Sequence, residues 1–176
     1  GYVTVSLDNL TYSPTTRQLS VTVNAQFTGN VAGDIRLNLW IAEDDVTGTG
    51  SGYNQVNAFN NTPGHPYYQA GNPIVGFSHM HVLRACLGGI WGNTGVIPAN
   101  VTFGNSYSQT YTTTLPAGWD ASQVYVIGMV QKYGATKAER EILNAEWAAI
   151  LPDNPTAVAP EQDVFGLRVS PNPSST

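Results

Sequence analysis

The stretch QLSVTVNAQFTGNVAGDIRLNLWIAE, residues 18–43, decides the fold. Its first half sets Leu19, Val21, Val23, Ala25 and Phe27 at every second position, with polar residues between them. Its second half repeats the pattern with Ile35, Leu37, Leu39 and Ile41. Successive side chains of an extended chain point to opposite sides, so this period of two marks strands that bury one face. The TGNVAGD between them has turn chemistry, and the two strands read as an antiparallel pair joined by a glycine-containing loop.

The same reading extends outward. Val3, Val5 and Leu7 alternate in YVTVSLDNLTYS, and SPTTRQ is a turn. FSHMHVLRACLGGIWG predicts a strand over about Gly76–Leu87, SYSQTYTTTL one over Tyr107–Leu115, and QVYVIGMVQKYG one over Val124–Tyr133. KAEREILNAEWAAI has the composition of a helix but no wide apolar stripe. The all-β context predicts a strand there, EILNAEWAA, returning as a hairpin. Some seven short alternating strands with turn signals define an all-β protein, an antiparallel β-sandwich of immunoglobulin-like or jelly-roll-like kind. The expected domain covers residues 1–150. Residues 151–176 are a proline-rich linker and an extended, strand-like C-terminal tail.

Bulk composition agrees. The 176 residues suffice for one domain, or one domain with a tail. Charged residues make up only 11%, while Gly, Ser, Thr and Asn are abundant, which suits an exported β-protein. A net charge of −5 argues against a nucleic-acid partner. Cys86 is the single cysteine, so no intrachain disulfide exists. Its apolar setting, VLRACLGG, suits a small buried hydrophobe better than a catalytic thiol. No apolar run is long enough to span a membrane as a helix. No signal peptide is visible, and Gly1 opens directly on a strand, as expected of a mature fragment of a longer precursor.

No catalytic signature is present: no nucleophile elbow, phosphate-binding loop or zinc-protease motif. His79 and His81, two apart on the expected strand, share a face and form half of a metal site or an ordinary strand pair. Glu43, Asp44 and Asp45 precede the glycine-rich TGTGSG; such a run is either a solvated acidic loop or an oxygen-rich calcium site. The long loop from Asp44 to about Pro73 carries Tyr53, Phe59, Tyr67 and Tyr68, and loops of this length are commonly functional. These four aromatics are the expected contact surface; besides self-association, a surface glycan or a protein ligand is the partner left open. Trp40, Trp91, Trp119 and Trp147 serve as core residues or as a binding face. Asn9, Asn60 and Asn100 begin Asn-X-Thr sequons.

Two segments resemble known families. His79-Met80-His81-Val82-Leu83-Arg84, followed by Gly89-Ile90-Trp91-Gly92, resembles the His-Asn-His-Val-Leu-Arg and Gly-Thr-Trp-Gly segments of the 28-kilodalton outer-membrane-protein family of Bacteroidota. The resemblance runs from about Tyr2 to Ile150. It implies a β-sandwich and an outer-membrane or extracellular location, and brings no enzymatic role. Phe165 to Ser170, followed by Pro171-Asn172-Pro173, is similar to the start of a type IX secretion sorting domain. That too implies export.

The tail permits a further use. Phe165, Leu167 and Val169 alternate like a strand that adds to an open sheet edge. About 26 residues follow Ile150, and an extended chain covers about 3.3 Å per residue. Two occupants of the segment are open: an edge of its own domain or an edge of a neighbouring copy. Head-to-tail exchange does not close and gives a filament. The expected function is therefore a non-enzymatic, self-associating structural or adhesive surface protein, with a stand-alone binding module as the alternative.

Overall fold

The computed structural model describes residues 1–151. Nine strands follow in order: β1 Val3–Tyr12, β2 Gln18–Phe27, β3 Val31–Ala32, β4 Asp34–Glu43, β5 Val82–Cys86, β6 Asn100–Val101, β7 Ser106–Thr114, β8 Val124–Tyr133 and β9 Glu141–Ala149. Two sheets face each other, one ordered β1-β2-β7 and the other β5-β4-β8-β9, and every pairing in them is antiparallel. The short pair β3 and β6 lies apart from both sheets. This is an antiparallel β-sandwich. Three main strands facing four, with the chain crossing between sheets after β2, β5 and β7, is the immunoglobulin-like of the two expected forms.

The decisive stretch folds differently from its reading in one respect. β2 and β4 are not a hairpin. β2 pairs with β1 and β7, while β4 pairs with β5 and β8. The two apolar faces oppose each other instead, because stacking buries both while in-sheet pairing would leave each in need of a cover. Leu19, Val21, Val23, Ala25 and Phe27 from one sheet and Ile35, Leu37, Leu39 and Ile41 from the other form the core, each 1% exposed or less. Val124, Val126 and Val130 continue it from β8. Gly128 takes the remaining inward position, where a Cβ would come within 2.5 Å of Leu7 and 3.1 Å of Val23. Phe27 closes one end, its ring edge-on to Tyr107 at 6.0 Å.

Two expected boundaries shift. The strand expected from Gly76 begins only at Val82, because His81 takes a left-handed backbone, φ 58°. The ambiguous segment 141–149 is a strand, paired with β8 through a register shift after Val130. Its turn is set by a capping box, with Thr136 and Glu139 bonding reciprocally.

Candidate interaction surfaces

The acidic run closes the end of β4. Glu43 continues the inward alternation and is 4% exposed. Its Oε1 accepts the Asp120 N–H at 2.7 Å. Its Oε2 lies 2.9 Å from Arg84 Nε, whose N–H is not aimed at it, so the contact is ionic rather than a directed hydrogen bond. The Arg84 guanidinium sits 4.9 Å over the Trp119 ring. Asp44, also buried, accepts the His81 backbone N–H at 2.6 Å. Asp45 accepts from Ser78 Oγ at 2.7 Å. Three neighbouring carboxylates thus serve separate partners, Glu43 two of them and Asp44 and Asp45 one each. Calcium needs six to eight oxygens about one point. Among the described residues no group of three or more His, Cys, Asp or Glu side chains converges. In this arrangement the run clasps the loop that follows.

The histidine pair also separates. His79 bridges Val46, and its Nε2 lies 2.8 Å from Tyr53 O. His81 Nδ1 lies 2.8 Å from the Tyr125 hydroxyl, whose ionisation burial and the Asp44 charge both oppose. The left-handed turn at His81 destroys the shared strand face on which a metal site depended. Cys86 is half-buried, and desolvation pushes its thiol above the usual range, as befits a packing residue.

The expected contact loop is built, not loose. Asn57, 4% exposed, holds it from within. Its Nδ2 donates to Tyr67 O and Gly71 O, both at 2.9 Å, and its Oδ1 accepts the Phe59 N–H at 3.0 Å. Asn60 Oδ1 accepts the Gly71 N–H at 2.9 Å, and the Gln55–Ile74 bridge closes the base. On this frame five rings form a chain. Phe59 stacks on His65 at 3.9 Å, His65 meets Tyr67 at 5.6 Å, Tyr67 meets Phe77 at 6.1 Å, and Phe77 meets His79 at 5.1 Å. Phe59 remains 48% exposed and Tyr67 43%. Tyr53 and Tyr68 are exposed on the same loop. Of the four expected contact aromatics, Phe59 and Tyr67 belong to this row; His65, Phe77 and His79, which complete it, were not among the expected contact residues.

The tryptophans divide. Trp119 packs against the core and Trp40 is half-buried. Trp91 and Trp147 are exposed. Trp91 carries the Arg140 guanidinium 4.1 Å above its ring. The glycine-rich segment around Trp91 has a structural task. β5 pairs only with the end of β4, from Trp40 to Glu43. The next backbone groups of β4, Leu39 O and Leu37 O, are taken by the N–H groups of Leu87 and Asn93 at 2.8 Å each. Gly92 makes that approach possible, since a Cβ there would lie 2.8 Å from Leu37 O. The Leu-Gly-Gly-Ile-Trp-Gly run therefore covers a sheet edge.

Other edges are guarded in other ways. β1 carries a register shift between Asp8 and Thr11 and receives Asn144 Nδ2 on Val3 O at 2.9 Å. β9 carries Glu141 and Glu146 and its own register shift. β7 differs. Its nine residues, SYSQTYTTT, hold no charge and no proline, and pair with β2 from Ser106 to Thr114 without a shift. Among the described residues no segment pairs with its far side. An edge that is long, regular and uncharged is the kind that accepts another strand. The strand-like tail residues Phe165, Leu167 and Val169 lie outside the described residues.

Together these features define an all-β sandwich module whose β7 edge is unpaired among the described residues and whose β4–β5 loop exposes a row of aromatic rings. The family model described as outer membrane protein Omp28 matches residues 3–153, and the chain belongs to that family. Membership places it at the outer-membrane surface. No helix among the described residues is long and apolar enough to cross a membrane. The comparison with curated proteins finds no match. Among solved structures, HBP35 of Porphyromonas gingivalis superimposes with a TM-score of 0.58 at 17% identity, over 90% of this chain and 44% of that one. The chain thus spans less than half the length of HBP35, and the likeness is one of fold. A domain of the outer membrane lipoprotein Omp28 from the same organism gives a TM-score of 0.44 at 15% identity, over 84% of this chain and 87% of that one.

Proposed function

We propose that the protein is a non-enzymatic structural or adhesive component of the cell surface that self-associates by strand addition. Residues 164–170 of one copy lie along the free edge of β7 in another. Phe165, Leu167 and Val169 occupy one face of the added strand, and main-chain hydrogen bonds supply the pairing. The observation that carries this reading is the long, regular and uncharged edge of β7, unpaired among the described residues, beside the bulged edges of β1 and β9. The edge bears no formal charge, so copies of net charge −5 meet without repulsion at the contact itself. Addition of a tail to a distant edge is head-to-tail, and the product is a filament.

The test is light scattering of the full chain with negative-stain microscopy. Filaments or concentration-dependent oligomers are expected, and Phe165→Asp with Leu167→Asp should leave monomers. Assembly unchanged by that double substitution defeats the proposal, as does a wild-type chain that stays monomeric at high concentration.

A further inference from the structure

We propose that the loop between β4 and β5 is a binding site for a neutral saccharide, recognised by the exposed rings of Phe59 and Tyr67 and the uncharged polar groups around them. This goes beyond self-association and uses a different surface. Between Asp45 and Arg84 the sequence contains no Asp, Glu, Lys or Arg at all. A surface loop of this length is ordinarily where charge collects, since charged residues are the ones most often left exposed. Here exposure falls on rings instead: Phe59, Tyr67 and Tyr68 are each 40% exposed or more.

The missing charge selects the partner. A nucleic acid, an acidic polymer or an anionic lipid surface is held by Lys and Arg, and the loop has none. A basic peptide needs carboxylates, and the loop's neighbours Asp44 and Asp45 are already engaged by His81 and Ser78. What remains is aromatic faces beside amides and phenols. Such a lining both donates and accepts hydrogen bonds. Sugar hydroxyls do the same, and the C–H face of a sugar ring lies flat on an aromatic ring. A proline-rich peptide also stacks on rings, but its backbone carbonyls only accept, so it leaves the acceptors of the lining unmatched.

The site is preformed. The Asn57 bonds to Tyr67 O, Gly71 O and Phe59 N–H fix the loop before any ligand arrives. His65 Nδ1 accepts the Tyr67 N–H at 3.1 Å, and the same imidazole stacks on Phe59 at 3.9 Å. The two principal rings are thereby tied through one residue. Rings held rigid in their binding arrangement spare a ligand the ordering cost that flexible loops impose.

The test is affinity electrophoresis of the full chain in native gels containing dextran, galactomannan or a mixed-linkage β-glucan. Parallel assays use heparin and vesicles containing phosphatidylglycerol. At least one neutral polysaccharide should retard the protein. Phe59→Ala and Tyr67→Ala should each weaken that interaction by roughly tenfold, the order expected when one aromatic contact is lost. Phe103→Ala, a still more exposed ring on another loop, should leave it unchanged, and circular dichroism should report the same fold for all variants. The tail variant Phe165→Asp with Leu167→Asp should also bind normally, which separates this site from assembly. Retardation by none of the neutral polymers overturns the proposal. So does binding that survives loss of both rings, or binding confined to heparin or the anionic vesicles.

Discussion

Replacing Glu43 by alanine should destabilise the fold by about 3–5 kcal/mol, the cost of leaving half of a buried ion pair alone. The carboxylate is 4% exposed, and it joins three parts of the chain: the end of β4, Arg84 on β5 and the Asp120 turn before β8. Its loss strands a guanidinium and deprives the Asp120 N–H of its acceptor. A domain of this kind has about 5–15 kcal/mol in all, so the variant sits near its unfolding threshold. Urea denaturation should show a midpoint that falls sharply with little change in slope. Glu43→Gln keeps an acceptor for Asp120 and should fall between the two. Adding calcium or a chelator should move neither midpoint, because the carboxylate is engaged by protein. A calcium-dependent rise in the wild-type midpoint would contradict the clasp.

Phe27→Ala should cost a similar amount, about 3–5 kcal/mol, for a different reason. The ring is 1% exposed and ends the apolar row of β2. Removing it takes away buried area and leaves a hole that stiff neighbours cannot fill, and the edge-on partner Tyr107 loses its contact. The backbone at this point is tied on both sides, by Phe27 N–H to Asn105 O and Gly104 N–H to Phe27 O. Collapse is therefore limited. Thermal unfolding should show the loss, while Tyr107→Phe, which keeps the ring, should be nearly silent. A Phe27→Ala variant within 1 kcal/mol of wild type would mean that this end of the sandwich is not packed as described.

Much of this architecture is legible in the sequence, and the exceptions have physical causes. The alternation in residues 18–43 identifies two half-buried strands because a pleated chain has a period of two. It does not say what covers each face. Pairing β2 with β4 and stacking β2 on β4 give the same local pattern, and only the burial of both faces decides for stacking. Segment 141–149 is readable as a strand from its context alone, since its composition favours a helix. His81 interrupts the expected strand through a backbone state that histidine adopts uncommonly, and no neighbour announces it.

The site residues follow the same division. Glu43 sits two positions after Ile41, in the inward register of β4. That register alone could have marked it as a buried side chain. Tyr53, Phe59, Tyr67 and Tyr68 are readable as loop aromatics. His65, Phe77 and His79 join them only through folding across the loop, although the absence of charge from Val46 to Leu83 was open to inspection. The glycine-rich run around Trp91, which carried the family resemblance, proves to shield the edge of β4. That β7 lacks such a shield depends on strand order, which alternation does not encode.

The central claim is that the tail of one copy pairs with β7 of another, and disulfide trapping tests it most directly. On a Cys86→Ala background, one chain carries Thr110→Cys on β7 and a second carries Leu167→Cys in the tail. Mixed and mildly oxidised, the two should form a heterodimer linked between these positions, in yields far above those with a cysteine at Asn24 in place of Thr110. Products no richer for Thr110 than for Asn24, or a bond formed only within a chain carrying both cysteines, would contradict assembly through this edge.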